Sequence, residues 1–188
     1  MKRLLLAVCS CALLTALVAP PAFGAVPVRN GVRAGRVTPS VVGNTNFDNI
    51  AAPSLFSDTV RLYKLDGVSF KGGGAVLNSS GGFGVTGFSA PNFLAFNCNS
   101  ATEDPGVPEL PETINLGSNR TAVSLKIGSL ASAGLIVKLT GKGSAGSESH
   151  QIGLTAALTT VTFTKPIKTI KVTSSTACVL VIDDLKYT

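Results

Sequence analysis

Residues 122 to 140 set the tightest constraint on the fold. Val123, Leu125 and Ile127 fall on one side of an extended chain, with Ala122, Ser124 and Lys126 on the other. Leu135, Val137 and Leu139 alternate in the same way with Ile136, Lys138 and Thr140. A period of two belongs to a strand with one buried face, because successive side chains point to opposite sides. Val161 and Phe163 lie on odd positions but Ile170 and Val172 on even ones, so the register changes around Lys165-Pro166. Proline cannot donate to a ladder, which makes Pro166 a break between two strands.

The same grammar runs upstream. "TVRLYKL" and "GVSFKG" meet at Asp66-Gly67, a hairpin dipeptide. "GGGAVLNSSGGFGVTGF" reads as one short strand, Ala75 to Leu77, among glycines suited to tight turns and bulges, and "NFLAFNC" reads as another strand. "NSATEDPGVPELPET" gathers acids and prolines, the composition of a surface loop. The last strand, Cys178 to Leu185, is apolar on both faces and therefore central. No helical period exceeds two turns, and no segment repeats. Roughly eight to ten short strands in one domain predict an all-β fold, an antiparallel β-sandwich of the jelly-roll kind.

Residues 1 to 24 have the form of a signal peptide. Lys2 and Arg3 precede an apolar run from Leu4 to Val18, and Ala22-Phe23-Gly24 offers small residues to a leader peptidase, so cleavage is expected after Gly24. Cys9 and Cys11 lie inside that leader. Residues 25 to 44 read as a flexible linker or a loose N-terminal strand, and 45 to 188 as the sandwich domain. No later segment is apolar for long enough to span a bilayer, so a secreted, extracellular product is expected. Without Lys2 and Arg3 the net charge falls from +6 to +4, and Arg29, Arg33 and Arg36 sit in the lead-in. The core is then nearly balanced, and no basic stripe for nucleic acid is indicated. Cys98 and Cys178 survive processing; in an exported chain such a pair reads first as a disulfide, with two buried thiols as the alternative.

The catalytic inventory is thin. His150 is the sole histidine and Glu148 stands close to it, in a stretch read as a polar turn between strands. No serine sits in a Gly-x-Ser-x-Gly elbow, and the glycine-rich segment lacks the ending that cradles phosphate. A pair of glycosidase carboxylates cannot be chosen from spacing. No enzyme activity is expected. Sugar binding calls for stacking rings and hydrogen-bonding side chains, and the chain has no Trp. Phe83, Phe88 and Phe93, in or beside loops, are the candidate platforms, and Asn92 is the candidate polar partner beside Asn78, Asn97 and Asn99.

Two short motifs carry a resemblance. "NTNFDNI" opens the domain and "VLVIDDLKY" closes it. This pair resembles the carbohydrate-binding-module type of jelly roll with a galactose-binding-like fold, found in bacterial extracellular domains, over residues 45 to 188. The resemblance implies that the first and last strands lie together and that Asp48 and Asp183 help to hold a structural calcium ion. Backbone carbonyls and Asn46 or Asn49 would complete its shell, since calcium takes six to eight oxygens. Asp184 then turns to solvent or to a neighbouring lysine; the alternative is that Asp183 and Asp184 are both strand-end acids that keep an edge soluble. The missing Trp is a departure from that family.

The expected function is a non-catalytic binding module for carbohydrate or a cell-surface polymer. The alternative is a structural or adhesive extracellular protein without a small-ligand site, and a hydrolase is a third reading. A concave face lined with exposed Phe and Asn marks the first, a flat Thr- and Lys-rich face the second, and a cleft with two facing carboxylates the third.

Overall fold

The computed structural model describes residues 42–53, 60–78, 83–98, 107–176 and 178–188. The leader, the arginine-bearing lead-in, Asn99 and most of the acidic, proline-rich loop lie outside the described residues. Among those described, eleven strands form, all paired antiparallel: β1 (Gly43–Thr45), β2 (Val60–Leu65), β3 (Val68–Asn78), β4 (Asn92–Asn97), β5 (Glu112–Arg120), β6 (Ser124–Gly128), β7 (Ile136–Gly143), β8 (Gly146–Gly153), β9 (Thr159–Thr162), β10 (Ile167–Ser174) and β11 (Val179–Tyr187).

The ladder runs β8-β7-β10-β5-β3-β4-β11-β6-β9, with β1 added to β11 and β2 to β3. Strand β3 is the pivot. Its start pairs with β5 through Ser69 and Phe70, and its end pairs with β4 through Ala75 to Asn78. The chain therefore leaves one leaf of the sandwich and enters the other within one strand. The change falls on Gly72, Gly73 and Gly74, which the sequence suggested as tight turns or bulges. Gly73 adopts φ +71°, a conformation that side chains rarely take, and a Cβ on Gly74 would collide with Leu94. The glycines bend a strand instead of ending one.

The alternating residues then meet as expected. Phe70, Ile114, Leu139, Ile170 and Val172 from one leaf pack with Leu94, Phe96, Leu125, Ile127, Leu180 and Ile182 from the other in one core. Strand β11 is central and buried on both faces; its other side, with Val179 and Val181, joins Ala75, Leu77, Phe93 and Ala95 under a cover made by Phe83, Val85 and Val107. Asp66 (φ 50°) and Gly67 (φ 82°) form the expected hairpin turn between β2 and β3. Two strands exceed the sequence reading: β5 lies partly in the segment taken for a loop, and β8 in the stretch around His150 taken for a turn.

A buried carboxyl braces the bend. Glu112 is 0% exposed, accepts the Gly72 amide at 2.9 Å and the Thr113 amide at 2.8 Å, and leaves no room for a side chain on Gly72. Desolvation raises its pKa above the ordinary 4.5, against the opposing pull of the amides of Gly72, Thr113 and Lys71 and the Lys71 charge. The folded state thus binds this proton more tightly than the unfolded chain does. Glu112 favours folding at low pH, and that contribution is lost as pH rises through the raised value. Measured by denaturant titration from pH 4.5 upward, wild type should lose stability relative to Glu112→Gln. A difference that stays constant with pH would contradict the assignment.

Candidate binding surface

The two acids in "VIDDL" part company at a bulge. Asp184 takes φ 49°, and the β11–β6 register slips between Asp183 and Lys186. Asp184 then pairs with Lys126 at 2.7 Å, and the lysine also donates to the Gly87 carbonyl at 2.6 Å. Asp183 turns the other way and is 0% exposed. Its Oδ2 accepts the Ser89 amide at 2.6 Å and the Ser89 hydroxyl at 3.0 Å. Desolvation pushes its pKa up to about 6, although the amides of Ser89 and Asp184 and the Ser89 hydroxyl favour the ionised form. Its Oδ1 has no hydrogen-bond partner of good geometry among the described residues.

Asp48 reaches the same segment from the start of the domain, where β1 pairs with β11 in the register Thr45↔Leu185. Its Oδ1 accepts the Asn92 amide at 3.1 Å, while Asn92 Nδ2 donates to the Phe47 and Ile50 carbonyls at 2.9 and 2.7 Å. Asp48 and Asp183 are thus both tied to residues 89–92. The orphaned Asp183 Oδ1, a hard and buried oxygen, fits a calcium ligand. No group of three His, Cys, Asp or Glu gathers among the described residues, so neutral oxygens would have to supply the rest of the shell.

The proposed stacking rings are placed differently from the sequence expectation. Phe83 is 4% exposed and Phe93 1%, and Phe93 meets both Phe83 and Phe88 edge-on at 5.5 Å. Phe88 is half-buried against this second core. Asn92 is 1% exposed, its amide spent on the carbonyls named above. The sequence places these residues near loops, but Phe93 lies within β4, and Phe83 and Phe88 turn down onto it from the segment that precedes the strand. His150 lies in β8 with Nε2 2.9 Å from Glu148 and its ring edge-on to Phe163. Burial pulls the Glu148 carboxyl up, but the Lys165 and Thr164 amides, the Thr164 hydroxyl and His150 together hold it below its ordinary value. Glu148 is occupied in holding the turn before β10.

The outer face of the β8-β7-β10-β5-β3-β2 leaf carries a field of exposed and half-buried polar side chains. Cross-strand register sets them in three rows. One runs Ser147, Lys142, Thr169, Asn115, Ser69, Lys64. The next runs Ser149, Thr140, Lys171, Thr113, and the third Gln151, Lys138, Thr173. Neighbours in a row stand about 4.8 Å apart, and rows about 6.7 Å apart, from strand geometry. No carboxylate and no aromatic ring occupies any of these positions. Among the described residues, no salt bridge involves Lys64, Lys138, Lys142 or Lys171. The sequence shows Lys138 and Thr140 on one outward phase, whereas the alignment of Lys171 and Lys64 with that strand follows from register between distant residues.

Cys98 and Cys178 are joined, with Cα atoms 4.9 Å apart, as fits a chain exported to an oxidising compartment. No helix among the described residues is long and apolar enough to cross a membrane. No protein-family model matches the chain, and no curated protein matches it. Among solved structures it is similar to the K1 cleaved adhesin domain of Lys-gingipain from Porphyromonas gingivalis W83, at 8% identity and a TM-score of 0.44, over 78% of this chain and 97% of that one. A likeness that slight carries neither fold detail nor function across.

Proposed function

We propose that the chain is an exported, non-catalytic adhesive domain that holds a polymer against the flat outer face of one leaf. The observation that supports this is the lysine- and threonine-rich face itself, four lysines that among the described residues have no ion pair and no acid in register with them. Such a face attracts an anionic surface at long range and binds it without enclosing it. The burial of Phe83 and Phe93 favours this reading over a module that stacks neutral sugars on aromatic rings.

Beads coated with the protein should be retained on an anionic polymer film, less so as salt rises. The triple variant Lys138→Gln/Lys142→Gln/Lys171→Gln should melt as wild type does and lose most of that retention. Equal retention of variant and wild type would remove the face from the mechanism.

Calcium is part of the same proposal, as a structural ion. Asp183, with Asp48, would hold it where the first and last strands meet, leaving the adhesive face on the other leaf. Bound there, it would supply the positive charge that the buried Asp183 carboxylate lacks.

A further inference from the structure

At one end of the lysine face the surface dips into an open groove of about 490 Å³ between β7, β8 and β10. Its lining is Ile136, Lys138, Gln151, Thr173, Ser174 and Ser175. Lys138 is directly opposite Gln151 on one side and Thr173 on the other. An ammonium, an amide and a hydroxyl therefore stand abreast at strand spacing. Ile136, one step along β7, is 51% exposed although it is a large apolar side chain. Ser174 Oγ is already hydrogen-bonded to the Thr176 carbonyl at 3.1 Å, and the Thr173 hydroxyl donates to the Lys138 carbonyl at 3.4 Å, which leaves the groove's outer hydrogen bonding to Gln151, Ser175 and the Thr173 oxygen as an acceptor.

These groups match the parts of one ligand class. A lysine ammonium is a point charge that takes a carboxylate or sulfate oxygen; amide and hydroxyl groups exchange hydrogen bonds with sugar hydroxyls; an exposed aliphatic side chain meets the C–H face of a pyranose ring. Nucleic acid fits less well. The groove and the rows beside it hold no arginine fork for phosphate and no aromatic ring for base stacking. We propose that this groove is the subsite for an acidic sugar unit, carboxylated or sulfated, of an extended polysaccharide. The chain continues over Lys171 and Lys142, so that the charged rows track its repeating anions. This deepens the adhesive reading and rests on it.

The test is binding of the purified protein to immobilised polygalacturonate, dextran sulfate, neutral dextran, inorganic polyphosphate and duplex DNA. Polygalacturonate and dextran sulfate separate the carboxylate from the sulfate source, and binding to at least one of them, well above neutral dextran, is expected. Lys138→Gln should weaken it by about tenfold, the effect of one charge-assisted hydrogen bond, whereas Lys186→Gln on β11 should change it less than twofold. Ile136→Ser should weaken binding to the acidic polysaccharide and leave polyphosphate unchanged, which separates sugar contact from charge alone. Equal effects of Lys138→Gln and Lys186→Gln, equal loss of polyphosphate with Ile136→Ser, or duplex DNA bound as tightly as either polysaccharide would overturn the subsite. If the triple lysine variant abolishes bead retention while Lys138→Gln is silent, the groove fails and the adhesive face stands. If wild-type beads are never retained, both fail.

Discussion

Replacing Cys98 and Cys178 together by alanine is expected to lower the free energy of unfolding by about 4.5 kcal/mol, from the entropy that an 80-residue separation returns to the unfolded chain. The magnitude follows from what the loop contains. Strands β5 to β10 all lie between the two cysteines, so the cross-link limits the unfolded state of most of the domain. The native state has little to lose, because the residues beside the bridge are neighbours without it. Asn97 pairs with Val179, and the Cys98 amide donates to the Cys178 carbonyl at 2.7 Å. Against a typical total stability of about 5–15 kcal/mol, the loss is a large fraction. The double variant should therefore fold to the same sheet and unfold at a much lower denaturant midpoint. An unchanged midpoint would show that the cross-link does not constrain the unfolded chain.

Calcium should stabilise the wild type, and removing the Asp183 charge should mimic it. Without a cation, the buried Asp183 carboxylate is ionised at neutral pH at a cost, as its rise from 3.8 to about 6 records. Asp183→Asn keeps an oxygen for the Ser89 amide and hydroxyl but carries no charge, so in EDTA the variant should melt above wild type. Added calcium should raise the wild type by about 3 kcal/mol at a hundredfold excess over its dissociation constant and leave Asp183→Asn unmoved. Asp184→Ala, which removes only the outward pair with Lys126, should respond to calcium as wild type does. Identical wild-type melting curves in EDTA and calcium would exclude the ion and leave Asp183 as a carboxyl held by Ser89 alone.

Period-two alternation made the core of each leaf readable, since Leu125, Leu139 and Val172 could face only one way once strands were assumed. The Asp66-Gly67 turn and the central position of β11 were readable for the same local reasons. Features that depend on register between distant strands were not. Nothing in the neighbourhood of Lys138 and Thr140 announces that Lys171 joins them across a ladder, or that Glu112 and Glu148, the acids of that leaf, point inward. The strand that reads as starting at Ala75 in fact runs through Gly72 to Gly74, because glycine marks a bend equally well inside a strand and between two. Phe83 misled because a loop's polarity says nothing about which face of it is pressed to the sheet, and Phe93 because it belongs to β4, on the face that this segment covers.

The pairing of β11 also fixes when the domain can assemble. This strand meets β4 and β1 along one edge and β6 along the other, and Cys178 at its entrance bonds to Cys98. A chain delivered from its N-terminus, by a ribosome or through a translocation channel, exposes β1, β4 and β6 well before their common partner arrives. Until residues 179–187 emerge, those strands have open ladders and uncovered apolar faces, and their contacts span long stretches of sequence. Closure of this domain therefore waits for residues 179–187. A chain that has not yet delivered them stays open enough to be threaded, and one that has closes both leaves and its cross-link around the same segment.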